Sequence, residues 1–145
     1  MPSLNNAADR QALVARLDKL APDMPPLWGK MSAPKMLAHM TDAFRMALGD
    51  LAVKPKKIPL IGSFPFKQLV LYVLPFPKNS PTAPEIISRQ PEAFDVERAN
   101  AKSLLGQLAG NVTYAAHPIF GPMTKNEWGA LGYKHFDHHL RQFGV

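Results

Sequence analysis

Apolar residues recur at helical spacing in four stretches of the chain, each bounded by recognisable start or stop signals. Leu13, Val14, Leu17 and Leu20 are interleaved with Arg10, Arg16 and Lys19, which predicts an amphipathic helix over residues 7–20. Asn5 or Asn6 can cap its start, and Pro22, Pro25 and Pro26 end it. Ser32 offers a second N-cap with Pro34 in the first turn, where a missing N–H costs nothing. The helix that follows should run to Leu48 and stop at Gly49, with Met36, His39, Met40, Ala43 and Ala47 forming one stripe and Leu37 and Phe44 widening it.

Residues 50–88 break this pattern. One short helix is predicted over residues 66–73, where KQLVLYV lacks proline, and PFPKNSPTAP reads as an extended arm laid over the surface. Pro91 should sit in the first turn of a third long helix ending near Leu108. Phe94, Ala101, Leu104, Leu105 and Leu108 would be its buried face, with Glu92, Asp95, Glu97, Arg98 and Lys102 toward water. Thr124 with Glu127 three residues later is a capping box opening the last helix, which should run to Gly144. No run alternates cleanly enough to be a strand. The prediction is a single all-α domain over residues 1–145, a four-helix bundle with a proline-rich insert between the second and third helices.

Composition narrows the class. A chain of 145 residues with 46% hydrophobic and 19% charged residues can bury a real core, which excludes disorder. It has no cysteine, so disulfides, thiolate metal ligands and a cysteine nucleophile are excluded, and a transition metal must be held by histidine, carboxylate or water. The formal charge is +6, yet the only tight cluster is Lys54, Lys56 and Lys57, without interleaved aromatics. That reads as a solvated basic loop, or one that draws in an anionic substrate, and no nucleic-acid partner is expected. The apolar stretch Ile58 to Phe76 carries Pro59, Pro65, Pro75, Lys67 and Gln68, too broken for a membrane span, so no membrane partner is expected. It is expected to cover one end of the bundle or to meet a second subunit in a homodimer. The N-terminal residues lack a secretory signal pattern, which makes the cytoplasm the expected location.

The candidate chemistry lies in five histidines: His39, His117, His135, His138 and His139. His135 and His139 project from one helix face a turn apart, a spacing that lets two imidazoles approach one ion. Trp128, Leu131 and Gln142 lie on or beside that face. Two ligands hold an ion weakly, and His39, on the apolar stripe of its helix, is placed to supply a third. Taken alone, His39 reads more readily as a hydrogen-bonded core histidine, and His138 is an alternative partner for His135. HFDHH is not a metalloprotease helix, because Phe136 stands where that motif needs glutamate. Asp137 points away from this face and reads as surface charge or a tie to a neighbouring helix; His117, before Pro118, reads as a turn residue.

Three segments, HPIFGPMTKNEWGALGYKHFDHHLRQFGV, WGKMSAPKMLAHMTDAFRMALG and PKNSPTAPE, resemble a DinB-like family of unknown function within the DinB/YfiT-like superfamily, in the expected order over most of the chain. The resemblance implies a four-helix bundle in which a histidine on the second helix and an H-x-x-x-H pair on the last bind a divalent metal, commonly zinc or nickel. Here those positions are His39, His135 and His139. His138, beside His139, adds a competing donor. Relatives include metal-dependent transferases of low-molecular-weight thiols, a thiol-using isomerase and proteins named as metal-dependent hydrolases.

The resulting expectation is a metal-dependent enzyme acting on a small-molecule substrate, most like a thiol S-transferase, with hydrolysis as the alternative. Gln142 and Asp42 are candidates to orient the ligating imidazoles, and no general base is evident. The rival is a non-enzymatic binding or dimerisation protein stabilised by its metal. Coordination discriminates the two, since a structural site is closed by a fourth protein ligand and a catalytic one is open.

Overall fold

The computed structural model describes residues 1–145 and is all-α, with no strand. The order is α1 (Ala7–Leu17), α2 (Ala33–Leu48), α3 (Phe66–Gln68) continuing as a π-helical turn (Leu69–Val73), a 3-10 turn (Pro84–Ile86), α4 (Phe94–Gly110) and α5 (Lys125–Gln142). The four longer helices contribute to one cluster of 24 buried residues, in which the rings of Phe44 and Phe136 stack at 5.9 Å. Burying a side chain such as Leu13, Leu105 or Leu140 contributes about 1.5–3 kcal/mol.

The helix starts follow the sequence signals closely. The Asn6 side chain accepts from the backbone N–H groups of Ala8 and Asp9. Ser32 accepts from Lys35, and Thr124 and Glu127 exchange both bonds of the capping box. At the end of α2, Gly49 takes φ +87°, a left-handed conformation that costs glycine nothing. Asp50 N–H then reaches the Arg45 carbonyl at 2.8 Å and Gly49 N–H the Met46 carbonyl at 3.1 Å.

Two boundaries differ from expectation. The first helix closes at Leu17, because Lys19 and Leu20 donate to Arg16 and Leu17, tightening the chain into a turn; Leu20 is buried all the same. The third long helix begins at Phe94, not in the turn of Pro91, and Glu97 is fully buried instead of facing water. Both departures have one cause. The Glu97 carboxylate turns back to accept from Glu92 N–H at 2.9 Å and holds the Arg89 guanidinium, which also grips Asp42 on α2. Burial pushes the Glu97 carboxyl up, but the Arg89 and Glu92 bonds outweigh it and hold its pKa below the usual value.

The insert lies against the segment leading into α5. Lys56 N–H donates to the Pro118 carbonyl, Lys67 reaches the Pro122 carbonyl and Glu127, and Lys134 reaches the Val70 carbonyl. Asp137 ties helices together, pairing with Arg16 of α1 at 2.6 Å and Arg141 at 2.9 Å. His117 is the turn residue expected: it pairs with Gly121 in an isolated bridge, and its Nδ1 accepts from Ile119 and Phe120 N–H. No helix is long and apolar enough to cross a membrane.

Candidate metal centre

His39 of α2 and His135 and His139 of α5 converge. Their ligand atoms lie within 4.8 Å of one another; His39 and His139 are buried and His135 half-buried. The Nε2 of His135 stands 3.1 Å from Nε2 of His39 and 3.2 Å from Nε2 of His139. Nitrogens at 2.0–2.1 Å from a tetrahedral zinc lie about 3.3–3.4 Å apart, and the two distances to His135 Nε2 are close to that.

Hydrogen bonds behind His39 and His139 fix the tautomers of those two rings. His39 Nδ1 lies 2.9 Å from the Ile86 carbonyl, which only accepts, so the proton of the neutral ring is on Nδ1. Gln142 Nε2 donates to the Trp28 carbonyl at 2.9 Å, which leaves Gln142 Oε1 to accept from His139 Nδ1 at 2.8 Å. His39 and His139 therefore both aim an Nε2 lone pair at His135. The three Nε2 atoms can share at most one hydrogen, on His135, and it can satisfy only one of the other two. A buried cluster left with excess lone pairs suits a cation.

Electrostatics keep the rings neutral. Burial lowers the pKa of His39 against the raising effects of the Ile86 carbonyl and Asp42. Burial, then repulsion from His39, pushes His139 down to about 3, and burial with the His139 and His39 charges drives His135 well below its ordinary value. Neutral imidazoles are the metal-binding form.

Of the residues proposed to orient the ligands, Gln142 does so and Asp42 does not. Asp42 accepts from Arg89 Nε at 3.0 Å and makes no bond to a histidine; the Ile86 backbone carbonyl takes that place. His138 does not join the cluster. Its ring faces Phe76 at 5.0 Å and the edge of Trp28 at 5.6 Å, while Phe76 stacks on His135 at 5.1 Å with the planes 2° apart. Lys78 Nζ lies 4.3 Å from the Trp28 ring centre. Trp28, Phe76 and Lys78 carried no sequence signal for this site, since they come from loops without periodicity, and a backbone carbonyl such as that of Ile86 has no signal at all. Lys54, Lys56 and Lys57 form the exposed loop expected. A polar cleft of about 340 Å³ lined by Thr41, Arg45, Arg89 and Glu92 shares no residue with the histidines.

Fold and site together define an all-helical protein with a triple-histidine cluster able to hold a metal ion. Residues 77–144 match the model of a family described as a protein of unknown function, DUF1569. That match takes in His135, His139, Gln142 and the Ile86 turn, and His39 lies outside it. No curated protein and no solved structure matches the chain.

Proposed function

We propose that the chain is a single four-helix bundle of the DinB/YfiT-like type that holds zinc or nickel through His39, His135 and His139 and catalyses transfer of a low-molecular-weight thiol. The observation that carries this reading is the convergence of three Nε2 atoms, two of them with lone pairs fixed inward, with no fourth histidine or carboxylate in the cluster. Such a set leaves coordination positions free for a reactant.

A divalent cation held there supplies Lewis acidity, lowering the pKa of a thiol or of water so that the nucleophile is available at neutral pH. The chain supplies the rest. Ile86 and Gln142 lock two rings with their lone pairs inward. Phe76 lies flat on His135 and limits water on that side. Lys78, over Trp28, puts a positive charge beside His138, suited to the carboxylates of a thiol or substrate. The chain has no cysteine, so the thiol comes from solution.

The test loads tag-free protein with zinc or nickel and screens it against small electrophiles with and without added thiols, beside His39→Ala. Turnover that needs both thiol and His39 supports the transferase. Hydrolysis that needs His39 but not thiol replaces it with the hydrolase reading, and rates independent of His39 remove the enzyme reading.

A further inference from the structure

The helical turn of the insert is inside out. Lys67 is buried and bound to Glu127 and the Pro122 carbonyl, and Leu71, four residues on, is fully buried. Phe66, Leu69 and Val73, at helical spacing on the other side, are exposed at 45%, 41% and 69%. Phe64 and Leu60, just before the turn, are exposed at 82% and 63%, and Leu74 after it at 44%. Soluble surfaces scatter such residues singly; six within fifteen positions is a concentrated apolar patch.

Charge decides what covers it. From Leu51 to Pro84 the chain has five lysines and no aspartate or glutamate. Lys67 is neutralised by Glu127, and Glu85, bonded to the Lys54 backbone N–H, lies beside that lysine. Lys56 and Lys57 are exposed and unpaired, directly before the apolar residues. A second copy of the chain laid patch to patch would bring two such basic loops together, with Glu85 already bonded beside Lys54 and no other acidic residue between Leu51 and Glu85 of either copy to meet Lys56 and Lys57. An anionic surface that accepts apolar groups meets both demands.

We propose that the insert docks on the interface of an anionic lipid bilayer, with Phe64, Leu60, Val73 and Leu69 entering the headgroup and acyl boundary and Lys56 and Lys57 on the lipid phosphates. This departs from the expectation of no membrane partner, which rested on the lack of a span; interfacial docking needs none. The patch joins the candidate metal centre through the chain, since Leu74 is followed within two residues by Phe76, which stacks on His135.

The test is co-sedimentation of the full chain with vesicles of phosphatidylcholine alone and of phosphatidylcholine with phosphatidylglycerol, at low and high salt. Binding is expected to the anionic vesicles only. It should weaken about fivefold for each of Lys56→Gln and Lys57→Gln, and about tenfold for Phe64→Ser. All three sites are exposed, so the variants should keep the unfolding midpoint of the parent. In a Phe64→Trp variant the emission should shift to the blue with anionic vesicles. Equal binding to both vesicle types, no binding to either, or binding indifferent to these substitutions overturns the proposal. So does a dimer in sedimentation equilibrium that Phe64→Ser dissociates, which would assign the patch to a second copy.

Discussion

Gln142 and His139 form a directed pair: the amide oxygen accepts from His139 Nδ1 at 2.8 Å while the amide nitrogen donates to the Trp28 carbonyl at 2.9 Å. The loop before α2 thus sets the orientation of an imidazole on α5. Replacing Gln142 by alanine frees the ring and its tautomer. Zinc affinity, measured by competition with a chromophoric chelator, is expected to fall about 10–100-fold with the helical content intact. An unchanged affinity would mean that Gln142 serves the Trp28 loop alone.

The Arg89 network predicts a cost in stability. Arg89 holds Glu97 and Asp42 at once, and Glu97 and Asp42 are buried. Glu97→Ala leaves the guanidinium facing one carboxylate and strips the bond to Glu92 N–H. The loss is expected to be about 2 kcal/mol in urea unfolding, because the charge-assisted bonds of a buried carboxylate are removed while the part-exposed Arg89 keeps its pairing with Asp42. Glu97→Gln keeps an acceptor for Glu92 and should cost less.

Caps, glycine stops and apolar stripes are local, so the four long helices and the shared face of His135 and His139 were legible. His39 could be placed on the buried stripe of its own helix, but only the packing of α2 and α5 decides whether it faces His135. The spacing of Glu97 puts it toward water, whereas it is buried, and nothing local announces that Arg89 folds over it. The Ile86 carbonyl escaped for a related reason: every residue has one, and its use depends on how the proline-rich arm crosses α2.

A pH prediction follows from His117. Burial, with the Lys67 charge, pushes its pKa down from 6.5 to about 4. Between those values the unfolded chain binds a proton that the folded chain does not, so stability is full above the unfolded pKa and falls as pH drops toward 4. Relative to His117→Asn, which keeps a side-chain acceptor in the turn, the parent should lose about 2 kcal/mol more between pH 7 and pH 5 in urea unfolding. Parallel pH profiles for the two proteins would contradict it.

Two glycines should respond oppositely to alanine. A Cβ on Gly132 of α5 would stand 2.6 Å from Leu4 Cδ1 and 3.2 Å from Leu108 Cδ2, both buried, whereas one on Gly106 of α4 meets nothing within 4 Å. Gly132→Ala is expected to lower stability by about 1–3 kcal/mol through overpacking. Gly106→Ala should raise it by up to about 1 kcal/mol through helix propensity. Thermal unfolding of both variants separates the two effects.

The last prediction concerns which of the adjacent histidines binds metal. His138 and His139 are successive residues of one helix, so their side chains leave it about 100° apart. His139 points into the cluster with His39 and His135; His138 points to Phe76 and Trp28. For His138 to take over, α5 would have to rotate, exposing the His139 face and withdrawing Phe136 and Leu140, both essentially inaccessible, from the core. Burial of two such side chains is worth about 3–6 kcal/mol, more than one exchanged ligand is expected to recover. Tag-free His138→Ala is therefore expected to retain one divalent ion per chain by elemental analysis, while His135→Ala and His139→Ala lose it. Metal lost from His138→Ala but kept by His139→Ala would reverse the assignment and require a different register of α5 on α2.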